Sequence, residues 1–143
     1  MNILNQDVLT FLETLNSKGI NVTPLEIEDS IVIPFYQDYE ERSLSCNVVF
    51  PNIMSTGARV SWIHSIGLFP LSQGRYEEAL AIVNELNRTT QLVSFYASPK
   101  EIDAKTENLY SIFNPEDLLL ALYDFLTKTE EAYKEIEREF LTI

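Results

Sequence analysis

Hydrophobic side chains near the amino terminus recur every three or four residues, which is the spacing of one face of an α-helix. The residues on this predicted face are Val8, Phe11, Leu12 and Leu15. Asn5 is a suitable cap for the start of the helix, and Gly19 is a suitable residue for its end. The pattern therefore predicts a first helix of about three turns with one buried side.

The spacing then changes to alternation, which is typical of strands with one buried face. Apolar residues alternate with other residues in three successive segments: Ile31, Ile33 and Phe35; Leu44, Cys46, Val48 and Phe50; and Val60, Trp62, His64, Ile66 and Leu68. We expect these rows to face the core. Pro34 lacks a backbone amide, so it is expected at a strand end or on a sheet edge. The turn-rich segment 51–59 and the other short link predict an antiparallel meander.

A second helix is predicted over 74–88, with an apolar stripe formed by Tyr76, Leu80, Val83 and Leu86. Two further strands are predicted at 93–96 and 108–113, separated by a charged linker over 98–107. The segment 108–113 carries apolar residues on both faces, which is expected of a central strand or of a strand covered at an interface.

A third, long helix is predicted to begin at the sequence NPED, where Asn114 is a good cap and Pro115 suits the first helical position. Its main apolar row consists of Leu118, Leu122, Phe125, Thr129, Ala132, Ile136 and Phe140, and a second row consists of Leu119, Tyr123, Leu126 and Tyr133. The highly charged second half, 128–143, is expected to extend beyond the domain or to pair with another chain.

These elements predict an α+β fold: an antiparallel sheet of about five strands with helices on one face, in the order α-β-β-β-α-β-β-α. The length of 143 residues suits one core, and no internal repeat interrupts it, so residues 1–143 are expected to form a single domain.

Composition narrows the classes of function. The net charge of −12 repels nucleic acid, and the ten basic residues form no patch. No apolar run is long enough to span a bilayer, and the acidic amino terminus does not resemble a signal peptide. A single cysteine excludes an intramolecular disulfide and a zinc site of the Cys/His type. We therefore expect a cytoplasmic protein that binds no cofactor, metal, nucleic acid or membrane.

Little in the sequence points to catalysis. His64 is the only histidine, and its place in an apolar row favours a hydrogen-bonded structural role. Cys46 is expected to be a buried, inert thiol. The glycines are too dispersed for a phosphate loop, and the carboxylate clusters lack the spacing of a calcium loop or a hydrolase site. At the end of the second helix, Asn87 is expected to close the helix in left-handed geometry, and Arg88 to lie at the negative end of its dipole.

The segment EEALAIVNELNRTTQLVSFY (77–96) is a helix that closes on Asn-Arg and leads into an aromatic strand. Together with the order of the elements and the long final helix, it resembles the YbjN-like family of bacterial sensory transduction regulators, and the element order is similar to that of class I type III secretion chaperones. The resemblance implies a noncatalytic, protein-binding and dimeric regulator. It also implies a tight turn where the charged linker 98–107 lies.

The favoured hypothesis is a noncatalytic module, regulatory or chaperone-like, that binds another polypeptide at a sheet edge or in a groove. The candidate contact residues are Trp62, Arg88, Phe95, Tyr96 and Tyr110. A homodimer interface is expected on the apolar rows of the last helix and on 108–113. Two alternatives stay open: an acidic inhibitor or immunity protein that masks a basic partner, and a small-molecule-binding protein or hydrolase that uses His64.

Overall fold

Six antiparallel strands form one open sheet, and three helices accompany it in a computed structural model that describes residues 6–39, 42–51, 59–110 and 112–141. The strand order across the sheet is β1-β2-β3-β4-β6-β5. The elements are α1 (Gln6–Ser17), β1 (Leu25–Ile27), β2 (Ser30–Asp38), β3 (Ser43–Pro51), β4 (Arg59–Pro70), α2 (Tyr76–Thr89), β5 (Ser94–Ala97), β6 (Glu101–Tyr110) and α3 (Pro115–Leu141). The predicted α+β class is confirmed, with six strands instead of five.

The predicted meander is confirmed as β2, β3 and β4, which are neighbours in the sheet. The additional strand, β1, pairs with the start of β2 through a turn at Glu28, whose φ is 53°. Its last pair is Leu25 with Val32, so Pro34 lies where β2 has no β1 partner. This agrees with the expectation that Pro34 occupies an edge position. The expected cap Asn5 and most of the expected turn, residues 52–58, lie outside the described residues.

The predicted charged linker 98–107 is wrong for most of its length, because residues from Glu101 onward belong to β6. The hairpin turn is short: the amide of Ser98 donates to the carbonyl of Glu101 over 2.9 Å. In β6 the inward-facing Ile102 and Ala104 are fully buried. Charged residues occupy the alternate, outward positions, which is the pattern of a strand with one solvated face.

The helices cover one face of the sheet. One core cluster contains residues from α1, α2 and α3 together with the inward residues of the strands. Phe11 of α1, for example, lies 5.9 Å from Phe50 of β3 and 6.5 Å from Phe35 of β2, measured between ring centroids. Pairs such as Ile33 with Val48, and Val48 with Ile63, continue this buried face across the meander.

β4 turns the opposite face to the core from the one that its apolar pattern predicts. Ser61, Ile63 and Ser65 are buried, whereas Ile66 is exposed and Trp62 is half-buried on the other side. The register of the strands explains this reversed orientation of β4, because Ile63 lies opposite the buried Val48 of β3. After Ile66 the ladder shifts register, with Gly67 at φ 73°, and Leu68 returns to the core.

The predicted apolar row of α3 is confirmed: its residues from Leu118 to Ile136 are buried, and Phe140 packs against the core. Asn114 caps the helix by accepting the amides of Glu116 and Asp117 over 3.0 and 3.3 Å. The expectation that its second half extends beyond the domain is wrong, because Phe140 stacks on Phe69 of β4 at 5.5 Å.

An ion-pair network also binds the second half of α3 to the rest of the fold. Arg42 contacts Glu130 and Glu137 over 3.2 Å each, and its guanidinium lies 4.2 Å from the centre of the Tyr133 ring. Arg42 precedes β3, so the network joins the sheet to the middle of the helix.

α2 presents Ala79, Val83 and Leu86 to the core. The predicted stripe is therefore correct for its second half only, since Tyr76 and Leu80 are exposed.

Candidate functional site

In the part of the chain that the structure describes, the strands carry a second face that no helix covers, and we call it the helix-free face. Side chains that lie opposite one another on antiparallel strands share a face, so the register defines two rows across it. The first row is Leu25, Val32, Val49, Trp62 and Glu107, and the second is Pro34, Asn47, His64, Lys105 and Ser94.

Large apolar side chains are exposed on this face. Tyr36 is 77% exposed, Ile66 65% and Tyr96 54%, and Leu25 and Ile27 of β1 are about half exposed. By contrast Val49, between Val32 and Trp62, is only 3% exposed. Large exposed apolar side chains with polar residues among them are a common feature of interaction sites. The helix-free face is therefore the strongest candidate for a functional surface.

Charged groups lie among these apolar residues. The ammonium of Lys105 lies 4.9 Å from the centre of the Trp62 ring and 3.1 Å from a carboxylate oxygen of Glu107. Burial and the positive charge of Lys105 lower the pKa of His64, while Asp103 acts in the opposite direction. His64 is thus held neutral to a lower pH than a free histidine.

The expected hydrogen bond of His64 is missing: within the described ranges its ring has no such partner, and it lies half-buried on the helix-free face. Asp103, the acid that acts on His64, accepts the amide of Gly67 over 2.7 Å. Hydrogen bonding to Asp103 raises the pKa of Glu101, with burial as a second cause. These contacts tie both carboxylates to the irregularity in β4.

The five predicted contact residues do not come together. Trp62 and Tyr96 share the helix-free face, but Phe95 is a core residue with 1% exposure. Tyr110 lies 5.2 Å from Phe113, ring to ring, beside the core aromatic residues. Arg88 is exposed on α2, where its guanidinium contacts Glu85 over 2.5 Å. Phe95 cannot reach a partner while the core is intact, so only two of the five remain on one exposed surface.

Sequence reasoning missed Tyr36, Ile66 and Lys105 as members of this surface. The alternation in β4 predicts Ile66 in the core, whereas its row faces outward in the sheet. A signal was present in the alternation of Ile102 and Ala104 with charged residues, which identifies β6 and places Lys105 on the solvated face.

Asn87 has a structural role other than the predicted one. α2 continues to Thr89, so Asn87 does not end the helix in left-handed geometry. Its side-chain amide instead binds Phe95 twice: Nδ2 donates to the Phe95 carbonyl over 2.9 Å, and Oδ1 accepts the Phe95 amide over 2.7 Å. Because β5 is the last strand of the sheet, these two bonds occupy backbone groups on its outer edge.

Cys46 is buried in the core, and burial raises the pKa of its thiol to about 12. The predicted inert thiol agrees with this placement, since a thiolate is the reactive form of cysteine. Histidine, cysteine and acidic side chains of the described residues form no group of three or more that could hold a metal ion.

No protein-family model matches the chain, and no curated protein matches it either. The YbjN-like assignment therefore stays a prediction. Across the helices that the structure describes, none is both long and apolar enough to cross a membrane.

Proposed function

We propose that the protein is a noncatalytic protein-binding module, regulatory or chaperone-like, whose helix-free face contacts the partner polypeptide. One observation carries the proposal: Tyr36, Ile66 and Tyr96 are exposed on the face of the sheet opposite the helices. Each large side chain withdrawn from water contributes to association, at roughly 25 cal/mol per Å² of apolar area.

The charged residues of this face suit selective recognition. Lys105 lies over the aromatic ring of Trp62 and pairs with Glu107, so a partner side chain that approaches the ring meets one cation and its paired anion. Polar groups at the rim of an apolar contact favour one orientation and disfavour mismatched partners.

A homodimer is the first form of this proposal to test. The main apolar row of α3 offers little surface for the predicted interface, because Leu122, Phe125 and Ile136 are buried within the chain itself. Two copies joined through the helix-free face would instead pack sheet against sheet, at the spacing of about 10 Å that such faces adopt.

The experiment joins light scattering to size exclusion at micromolar concentration. We expect a dimer for the natural chain and a monomer for the double variant Ile66→Lys/Tyr96→Lys, because a buried, unpaired ammonium weakens association more than tenfold. The control is Leu120→Lys, which alters a residue of α3 that is as exposed as Ile66. It should remain dimeric.

A photo-crosslinking residue placed at Ile66, and in a second sample at Leu120, extends the test to other polypeptides in the cells that make the protein. Adducts formed at Ile66 and missing at Leu120 would support the proposal. A monomer with adducts to another polypeptide at Ile66 would reject the homodimer alone. A monomer whose two positions give the same adducts would reject protein binding through the helix-free face.

A further inference from the structure

A groove of about 540 Å³ lies between α2 and α3, on the helical layer and away from the helix-free face. Ligand-binding clefts commonly measure roughly 300–1,000 Å³, so the groove is large enough to receive side chains of a bound segment. Ile82 and Leu86 of α2 and Ala132 of α3 provide apolar lining. Leu86 and Ala132 are buried, which gives the groove a firm floor.

The groove carries negative charge along its walls. Glu131, Glu135 and Glu139 line it from α3 and Glu85 lines it from α2, whereas Lys128 is the one cation among the described lining residues. Lys128 is held at one end, where its ammonium contacts Asp124 over 2.9 Å and donates to the carbonyl of Gln91 over 2.9 Å. The lining residues therefore leave a strong excess of negative charge.

Ion pairs within the helices already engage some of these acids. Glu85 contacts Arg88 and Glu135 contacts Arg138, each pair three residues apart. Such exposed pairs contribute only about 0–1 kcal/mol, so an incoming cation can replace the arginine at small cost. Glu131 forms no ion pair with any residue that the structure describes.

The acids of α3 are spaced at intervals of four residues, so they repeat at roughly 6 Å along the helix. Lysines at the same interval on an antiparallel helix would lie opposite them. Apolar side chains beside those lysines would reach the floor of the groove, which is the arrangement of an amphipathic helix bound between two helices.

We propose that the α2–α3 groove binds a basic amphipathic helix, with its apolar stripe on Ile82, Leu86 and Ala132 and its cations on the glutamates of the walls. This site is separate from the helix-free face, and the proposal does not depend on the function proposed for that face. The net charge of −12 adds a long-range attraction for such a partner.

The test uses a fluorescein-labelled helical peptide of about four turns, with leucine on one side and lysine on the other, and measures fluorescence anisotropy at low and physiological salt. We expect saturable binding that weakens as salt rises. The double variant Glu131→Gln/Glu135→Gln should weaken it about tenfold. Glu13→Gln/Glu77→Gln, which removes two acids elsewhere, should weaken it by less than about twofold.

The apolar contact is tested separately with the variant Ala81→Trp. Ala81 lines the groove and is exposed, so a larger side chain at this position can fill the groove without entering the core. This variant should lose at least about tenfold in affinity with all charges retained. Melting temperature verifies that each variant is folded. The variant Ile66→Lys/Tyr96→Lys should bind the peptide normally, which separates the two surfaces.

The proposal is overturned by absence of binding up to about 100 μM at low salt. It is also overturned if both pairs of glutamine substitutions weaken binding equally, or if a peptide of the same composition with a scrambled pattern binds as tightly. Displacement of the peptide by spermidine at the same concentration of positive charge would also overturn the proposal, because binding would then require cations alone.

Discussion

Replacing Asn87 with alanine removes both hydrogen bonds that join α2 to the outer edge of β5. A typical intramolecular hydrogen bond contributes about 1 kcal/mol net, and a partly buried group left unpaired costs about 1–3 kcal/mol. Water can reach part of the edge, so we expect Asn87→Ala to lower the free energy of unfolding by about 2 kcal/mol. For a chain of this length that loss corresponds to roughly 4–8 °C in Tm.

Two further variants isolate the cause. Asn84→Ala is the control for helix propensity, because Asn84 is exposed on the same helix and forms no hydrogen bond with the described residues. It should stabilise α2 by about 0.5 kcal/mol. Asn87→Asp preserves shape and the bond from the Phe95 amide, but places a second oxygen against the Phe95 carbonyl.

The aspartate variant also has a defined pH dependence. Only its protonated form can donate to the Phe95 carbonyl, so folding raises the pKa of this carboxyl above about 3.9. Its destabilisation should be complete above the raised pKa and should diminish as the pH falls through that value.

Urea denaturation followed by circular dichroism measures all three variants, and their m-values should agree with that of the natural chain. A difference of less than about 0.5 kcal/mol between Asn87→Ala and the natural chain, after the Asn84→Ala correction, would refute the reasoning.

Two other groups give predictions of their own. Cys46, with a thiol pKa of about 12, should not react with a thiol reagent at neutral pH in the folded protein, and should react fully in urea; rapid reaction of the folded protein would contradict its burial. Folding lowers the pKa of His64 below 6.5, so its stability contribution should be present above about pH 6.5 and be lost as the pH falls through the lowered pKa. Lys105→Met should raise the pKa of His64 in an NMR titration, and an unchanged midpoint would exclude the lysine as a cause.

Helices and strands whose apolar residues recur with one clear period could be predicted from the sequence, because burial of one face alone determines where their apolar residues lie. The row from Leu118 to Ile136, the Asn114 cap and the alternation of Leu44, Cys46, Val48 and Phe50 each follow from local rules. The orientation of β4 could not, because both of its faces carry apolar residues. Its inward face is set by the pairing of Ile63 with Val48, which is a contact between different parts of the chain.

The surface was harder to predict than the fold. Among the candidate contact residues Tyr96 is exposed and Trp62 is half-buried, whereas Phe95 lies in the core, because aromatic residues in strands suit both cores and interfaces. The α2–α3 groove has no local signature, since its acids look like an ordinary solvated helix face until the two helices are placed side by side.

The two margins of the sheet differ in a way that limits how copies of the chain can assemble through their backbones. The β5 margin is occupied at Phe95 by the Asn87 amide, whereas at the other margin the short β1 covers only the start of β2, and β2 beyond Val32 is paired on one side alone, with β3, within the described residues. A fibre that grows by strand pairing needs two open sheet edges on every copy, one for each neighbour. The single asparagine withdraws two backbone groups of β5 from such pairing and so disfavours the addition of another copy's strand at this margin.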